Sequence, residues 1–138
     1  MNPEPPPPIE VAAGLVFRES FLLITQRRVL DHLGGLWEFP GGKRERGESF
    51  SDCLRRELRE ELDIEVAIGE LFDTVRHEYP GKLVHIQFYC CRWLEREPRA
   101  LGCQTFAWVT QCELANYAFP PADARLLARL CGAKELWQ

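Results

Sequence analysis

A single domain that combines β-strands with two or three helices, of the α/β or α+β class, is predicted by three features of the sequence. A chain of 138 residues is long enough for one sizeable core and short for two domains. Strand-like apolar runs lie before and after a segment whose apolar residues recur at helical spacing. No internal repeat is evident, so helices packed on one sheet are expected rather than a repeat architecture.

A proline-rich tract opens the chain, and residues 1–8 are predicted to be a disordered lead-in to a domain spanning residues 9–138. The first strands are expected to form a hairpin, because two apolar runs are separated by Glu19 and Ser20. The runs Ile9–Arg18 and Phe21–Gln26 are expected to be strands, and residues 27–35 a loop. Residues 36–39 are expected to form a short strand, and residues 40–42 a turn.

A helix is predicted to begin at Ser49, because Ser49 and Asp52 have the spacing of a capping box. Its apolar residues recur every four positions: Phe50, Leu54, Leu58 and Leu62. Residues 64–78 and 82–93 are expected to be strands joined by a turn. Residues 104–110 are expected to form a third strand, and residues 122–131 a last helix. Gly132 is expected to cap that last helix.

The formal net charge of −4 and the pI of about 5.4 argue against nucleic acid as a partner, because an acidic surface repels a phosphate backbone. The longest apolar run, residues 11–17, is too short to span a bilayer. The first residues lack the basic and apolar parts of a signal peptide. We therefore expect a cytoplasmic protein with no membrane association and no stable binding to nucleic acid.

The six cysteines are interpreted as reduced thiols, because the cytoplasm is reducing and a chain with a good core needs no disulfides. Zinc ligation is the weaker alternative, since no two cysteines have Cys-x-x-Cys spacing.

Three glutamates, Glu57, Glu60 and Glu61, project from one side of the predicted helix, because they stand three and four positions apart. Glu61 falls between Leu54 and Phe50 around the helix, Glu57 falls just beyond Phe50, and Glu60 lies further out. Carboxylates at the edge of a core call for a neutralising cation, and hard oxygen ligands suit magnesium or manganese. The alternative is a solvated surface helix whose glutamates pair with its own arginines.

The residues before the helix favour the cation site. Gly41 and Gly42 let the backbone approach a ligand closely, and Glu48 lies just ahead of the helix. The full pattern is Gly42, five residues, Glu48, seven residues and then residues 56–61, Arg-Glu-Leu-Arg-Glu-Glu. This pattern resembles the Nudix box at every charged position. Its one departure is Asp63, where the family has a glycine, which puts the end of the helix in question.

Two further segments are similar to the MutT-like subgroup of the Nudix hydrolase family, namely residues 36–43 and residues 117–123. With the strands between them, the likeness covers about residues 9–132. The resemblance implies an αβα sandwich around a mixed β-sheet. It also implies attack of water on the β-phosphorus of a nucleoside triphosphate, which releases the monophosphate and pyrophosphate.

The resemblance assigns roles to the acidic residues. Four ligands are expected for Mg²⁺, or for Mn²⁺ in its place: the Gly41 carbonyl, Glu57, Glu60 and Glu61. Glu57 is also expected to activate the water, Glu48 to complete the metal environment and Arg56 to orient the carboxylates. MutT relatives often carry another acidic residue just before the late strand, whereas residues 100–104 contain none.

Five residues are similar to positions that line the base and sugar site of MutT-like proteins: Arg27, His32, Phe39, Lys82 and Asp123. Each also has a purely structural interpretation. Arg27 could be a surface cation, His32 a loop histidine and Phe39 a core ring. Lys82 could be a turn residue, and Asp123 an acidic residue at the start of a helix. Asp123 bears most on specificity. An ionised aspartate only accepts hydrogen bonds and favours a base with an amino group, whereas a protonated one could also donate to oxidised guanine.

The predicted function is that of a magnesium-dependent nucleoside triphosphate pyrophosphohydrolase that removes oxidised nucleotides, with 8-oxo-dGTP as the first candidate substrate. A pyrophosphohydrolase acting on CTP or 5-methyl-dCTP is the second candidate. A non-catalytic Nudix module that senses bases is disfavoured, because the chain keeps all four box glutamates. The expected partner is the nucleoside triphosphate, and the expected state is a monomer or weak dimer.

Overall fold

The computed structural model describes residues 7–138, so residues 1–6 of the predicted lead-in lie outside the described residues. Seven strands are formed: β1 (Ile9–Arg18), β2 (Phe21–Gln26), β3 (Trp37–Glu38), β4 (Gly41–Lys43), β5 (Glu65–Tyr79), β6 (Lys82–Glu95) and β7 (Thr105–Val109). The helices are α1 (Phe50–Leu62) and α2 (Ala124–Gly132), with short 3-10 turns at Leu114–Asn116, Pro121–Asp123 and Lys134–Trp137. Across residues 7–138, no helix combines the length and apolar character needed to cross a bilayer.

The strands form one mixed sheet in the order β3-β2-β1-β6-β5, with β4 paired to β1 and β7 paired to β2. β1 is central: it runs parallel to β6 on one side and antiparallel to β2 and β4 on the other. The hairpins predicted about Glu19 and about residues 80–81 are both present.

The sheet separates two apolar cores, because consecutive side chains of a strand leave on opposite faces. One core joins the sheet to α2 and the C-terminal turn, and its largest members include Leu15, Phe17, Leu126, Leu130 and Trp137. The other joins the sheet to α1 through residues that include Val16, Leu23, Leu54, Leu58 and Leu62. Burial on both faces explains why β1 reads as a continuous apolar run. The expected αβα sandwich around a mixed sheet is confirmed.

Both ends of α1 are defined by the residues that flank the helix. The Ser49 hydroxyl accepts a hydrogen bond from the Asp52 N–H at 3.0 Å, which confirms the predicted N-cap. Asp63 ends the helix in the left-handed region, with φ of 57°, where the family has glycine. Its carboxylate pairs with Arg96 at 3.5 Å and Arg99 at 3.9 Å, so the aspartate contributes ion pairs at a position that is strained for a non-glycine residue.

Two predictions of local structure are wrong. The turn expected over residues 40–42 is instead the strand β4, because Gly41 and Gly42 pair with Ala13 and Ala12 of β1. Gly132 does not cap α2 but is its last residue, and Ala133 is the C-cap with φ of −87°. Since the backbone of the C-cap Ala133 is not left-handed, the end of α2 does not require a glycine there.

The six cysteines, which all lie within the described residues, are unpaired, as predicted.

Candidate functional site

Strand β4 brings the chain into close contact with both β1 and α1. A Cβ atom on Gly41 would lie 2.0 Å from the Ala12 carbonyl oxygen, and one on Gly42 would lie 2.2 Å from Cδ of Glu57. Both distances exclude any side chain, so the two glycines let the backbone of β4 lie directly beneath the Glu57 carboxylate. The close approach that the sequence predicts toward a ligand is therefore also an approach toward α1.

The three α1 carboxylates differ in exposure in the order that helical spacing predicts. The Glu57 side chain is 19% exposed and the Glu60 side chain is 59% exposed, while Glu61 is half-buried. Arg55 and Arg59 point to solvent and pair with Asp52 and Glu65. The helix thus combines a solvated, salt-bridged side with an acidic edge that adjoins the core.

Arg56 connects the acidic residues that surround it. Its guanidinium donates to Glu48 at 2.7 Å, to Glu57 at 3.0 Å and to Glu60 at 3.2 Å. It also donates to the Lys43 carbonyl at 3.1 Å, which ties α1 to the end of β4. These contacts hold the carboxylates in a fixed arrangement, which is the orienting position that the resemblance assigns to Arg56.

The pKa values of these carboxyls are shifted in opposite directions. The hydrogen bonds from Arg56 and from the Glu45 N–H lower the pKa of Glu48 to about 2. Burial raises the pKa of Glu57, and Arg56 partly offsets that rise. Burial, followed by the charges of Glu38 and Glu57, raises the pKa of Glu61 to about 8, although the hydrogen bond from the Gly41 N–H opposes this rise. Negative charge at Glu57 and Glu61 is therefore incompletely compensated, as expected beside a cation site.

The donor set fits a hard divalent cation. Carboxylates from one helix edge and a main-chain carbonyl at Gly41 are oxygen ligands, and the cradle at Gly42 exists only because a Cβ is missing there. Among the side chains that the structure describes, no three of His, Cys, Asp or Glu converge as a preassembled site. Arg56 instead contacts Glu48, Glu57 and Glu60, so a cation would have to draw the carboxylates together.

Two adjoining cavities open beside β4, with volumes of about 270 Å³ and 220 Å³. They share six lining residues: Val11, Arg27, Glu38, Lys43, Ile86 and Asp123. The first cavity also contains Phe39, Gly41 and Gly42, and the second also contains His32 and Lys82. All five residues expected in the nucleoside site therefore line one continuous cleft, which begins at the Gly41 edge of the carboxylate cluster.

One wall of the cleft is a packed aromatic ring, and another is a pair of charged side chains. Phe39 is 5% exposed, stacks on Phe119 with centroids 5.2 Å apart and meets Phe88 edge-on, so it is both a core ring and a cavity wall. Arg27 donates to Glu38 at 2.9 Å and to the His32 carbonyl at 2.6 Å.

Asp123 lies at the N-cap position of α2, yet its side chain makes no capping hydrogen bond. Burial, followed by the charge of Glu38, raises the pKa of Asp123 to about 6, although His77 opposes this rise. An aspartate serving only the helix dipole would be exposed and would cap the helix. The half-buried position inside the cleft therefore favours a role toward a ligand.

Among the further residues that line the cleft, sequence reasoning did not identify Glu38, His77 or Tyr79. Tyr79 meets His77 with centroids 4.3 Å apart and His32 at 5.6 Å, so the β5–β6 hairpin contacts the loop that carries His32. Glu38 adjoins Phe39 in sequence, which was a usable signal. His77 and Tyr79 carried no signal, because only the long β5–β6 hairpin brings them to the cleft.

The chain is similar in sequence and in fold to known proteins. The family model described as NUDIX domain matches residues 12–129. The chain is 37% identical over 119 residues to the CTP pyrophosphohydrolase of Escherichia coli (strain K12), covering 86% of this chain and 88% of that protein. It is 38% identical over 123 residues to an 8-oxo-dGTP diphosphatase of Haemophilus influenzae, covering 88% and 90%. The solution structure of the E. coli ORF135 protein superposes with a TM-score of 0.78 at 34% identity, covering 91% of this chain and 90% of that one.

Proposed function

This chain belongs to the NUDIX domain family of pyrophosphohydrolases, and on that premise we propose that it is a magnesium-dependent enzyme that cleaves nucleoside triphosphates to the monophosphate and pyrophosphate. The supporting observation is that the Gly41–Gly42 backbone joins the α1 carboxylates to a cleft lined by Arg27, Phe39 and Asp123. A polyanionic substrate needs charge neutralisation at one end and a binding surface for its base at the other, and these are adjacent here.

The α1 carboxylates and Gly41 would hold Mg²⁺, or Mn²⁺ in its place, through the oxygens of Gly41, Glu57, Glu60 and Glu61. When bound, the metal would supply Lewis-acid charge neutralisation for the polyphosphate. Glu57 would accept the proton of the attacking water, since burial keeps its pKa above the ordinary glutamate value. Arg56 would keep Glu48 and Glu57 oriented through its 2.7 Å and 3.0 Å contacts.

Water is proposed to attack the β-phosphorus, so ¹⁸O from labelled water should appear in pyrophosphate. The measurement is mass spectrometry of both products, with a nucleotide panel that includes 8-oxo-dGTP, CTP and 5-methyl-dCTP, with and without Mg²⁺. Label found only in the monophosphate would refute attack at the β-phosphorus. Absence of Mg²⁺-dependent pyrophosphate release across the panel would refute the proposed reaction.

The proposed substrate is 8-oxo-dGTP, because a protonated Asp123 donates as well as accepts and its pKa is already raised to about 6 before a base covers it. The second candidate is a cytidine triphosphate, which the ionised Asp123 would favour, because an acceptor-only group matches the amino group of cytosine. The choice depends on the protonation of Asp123 in the complex, which can be measured.

Asp123→Asn should shift preference toward 8-oxo-dGTP relative to CTP by about tenfold, because one mismatched buried hydrogen bond costs about 1–3 kcal/mol. The ratio of the two kcat/KM values should vary with pH near about pH 6 in the parent and lose that component in the variant. If parent and variant show the same ratio at every pH, Asp123 does not read the base.

Urea unfolding supplies a second readout for the same variant. The folded-state pKa of Asp123 lies above the ordinary aspartate value, so burial of Asp123 costs stability progressively as the pH rises from about 4 to about 6, and the full cost remains above pH 6. Asp123→Asn should therefore be more stable than the parent at about pH 8, with the gain vanishing at about pH 3.5, where Asp123 is protonated in both states.

We also propose that the enzyme acts as a cytoplasmic monomer or weak dimer without stable binding to nucleic acid. The net charge of −4 supports the last point, because it opposes association with a phosphate backbone.

A further inference from the structure

An aromatic groove lies on the α1 face of the sheet, at the end of β1 away from the cleft. Four residues line its cavity of about 320 Å³: Arg18, Glu19, Phe21 and Trp108. Arg18 is the cross-strand partner of Phe21. Its guanidinium carbon lies 5.8 Å from the ring centroid of Trp108 and 4.0 Å from that of Trp93 on the other side. Phe21 is 41% exposed, so the groove presents apolar surface to solvent.

The groove has the chemistry of a site for a proline-rich segment. Prolines in the polyproline II conformation dock on exposed aromatic rings, and their carbonyls, which have no internal hydrogen bonds, can accept from an indole N–H. The groove offers the rings of Phe21 and Trp108. Arg18 adds a positive charge, and its 2.9 Å ion pair with Glu97 holds it weakly, because Glu97 is 72% exposed. A proline-rich segment that carries a carboxylate therefore matches the groove in shape and in charge.

The chain itself contains such a segment. Residues 3–8, here called the proline tract, read Pro-Glu-Pro-Pro-Pro-Pro. Pro7 and Pro8, which the structure describes, are exposed. Because proline has no N–H, the pairing of β1 with β6 begins at Ile9 and leaves the prolines outside the sheet ladder. Glu4 supplies the carboxylate among the prolines.

The proline tract cannot reach the groove of its own chain. Ile9 and Arg18 are the two ends of the ten-residue strand β1, so about 30 Å separates them at about 3.3 Å per residue. Residues 3–8 span only about 19 Å in the polyproline II conformation. The groove of a second copy is within reach, because two copies with antiparallel β1 strands bring Ile9 of each level with Arg18 of the other. Exchange of tracts in both directions closes such an assembly as a two-fold dimer.

We propose that the aromatic groove binds the proline tract of a second copy of this chain, with Glu4 of one copy paired to Arg18 of the other. The inference goes beyond the proposed function and does not rest on it, because the groove lies at the opposite end of β1 from the cleft. Each dimer contains two identical contacts, so a change in either the tract or the groove acts twice. Salt should weaken the association, because the Glu4–Arg18 pair is exposed.

Sedimentation equilibrium of the full chain at several concentrations tests this without reference to activity. Pro5→Ser combined with Pro6→Ser should weaken association about tenfold or more, because serine lacks the fixed φ that favours polyproline II. Phe21→Asp should also weaken it about tenfold or more, because it removes a ring and repels Glu4. Leu71→Asp is the matched control, since Leu71 is 49% exposed on β5 outside the groove, and it should change association less than about threefold.

A mixture of the two weakened variants shows whether the contact joins two copies. Each variant alone has both contacts damaged, whereas a mixed pair joins the intact tract of Phe21→Asp to the intact groove of the proline variant. The mixture should therefore reach a higher average mass than either variant at the same total concentration. Circular dichroism checks folding. The proline variant keeps the proposal testable if Phe21→Asp misfolds, because its changes precede β1.

Three results would overturn the proposal. The first is a parent protein that stays monomeric up to about 1 mM. The second is a dimer that the proline variant leaves unchanged, since the groove would then bind something other than the tract. The third is a mixture no heavier than its two components, since the tract would then act within its own chain. None of these results bears on pyrophosphate release, so the proposed function would stand in each case.

Discussion

Glu57→Gln should lower kcat by about 10²–10⁴-fold with 8-oxo-dGTP or CTP, the range associated with losing a positioned general base. The glutamine has the same shape, so its close fit against Gly42 is kept, but it neither takes up a proton nor carries charge toward a cation. The loss should fall on kcat more than on KM, because the cleft that binds the base is unchanged. Steady-state kinetics of pyrophosphate release measure both constants.

Asp52→Asn is the matched control, because Asp52 lies on the same helix and, within residues 7–138, forms its ion pair with exposed Arg55 alone. Its kcat should stay within about twofold of the parent, since an exposed ion pair at this spacing contributes little. A Glu57→Gln variant with near-parent turnover would exclude Glu57 as the base and would shift that role to another acidic residue of the cluster.

Trp137→Ala should lower the free energy of unfolding by about 3–5 kcal/mol, the usual cost of deleting a large buried aromatic side chain. Trp137 is 6% exposed, meets Phe17 edge-on at 5.2 Å and donates through Nε1 to the Leu130 carbonyl at 3.0 Å. The C-terminal turn therefore holds α2 against the sheet. Urea denaturation followed by circular dichroism gives the change.

Trp137→Phe separates packing from hydrogen bonding. The phenyl ring retains most of the apolar contact and loses the bond to the Leu130 carbonyl, so a loss of about 1 kcal/mol is expected. Because α2 begins just after Asp123, partial loss of this packing should also raise KM. An alanine variant as stable as the parent would mean that the C-terminal turn packs on the core without stabilising it.

Local sequence patterns were sufficient for the elements whose contacts are short-range. The repeat of Phe50, Leu54, Leu58 and Leu62, with the Ser49 cap, predicted α1 because helix formation depends on residues three and four positions apart. The same periodicity predicted that Glu57 and Glu61 adjoin the core while Glu60 faces solvent, as the structure shows. The direction of each side chain around a helix follows from spacing alone.

The pairing of distant segments was beyond local patterns. Residues 40–42 look like a turn, but pairing with β1 makes Gly41–Lys43 a strand, and the tight contacts of Gly41 and Gly42 involve Ala12 and Glu57. No local signal indicates which distant backbone a glycine must approach. The two glycines were visible in the sequence, but the contacts that require them are made by β1 and α1.

The sequence by itself determined the fold class, the helix that carries the acidic residues and their order of exposure, because these follow from composition and periodicity. Only the tertiary structure decided that Glu38 acts on Glu61, that Arg27 is engaged by Glu38, and that His77 and Tyr79 reach the cleft. Those relations join β2, β3, α1 and the β5–β6 hairpin, and their strength depends on how much water each group loses on burial. Neither chain spacing nor residue type encodes that loss of water, because it is a property of the assembled surfaces.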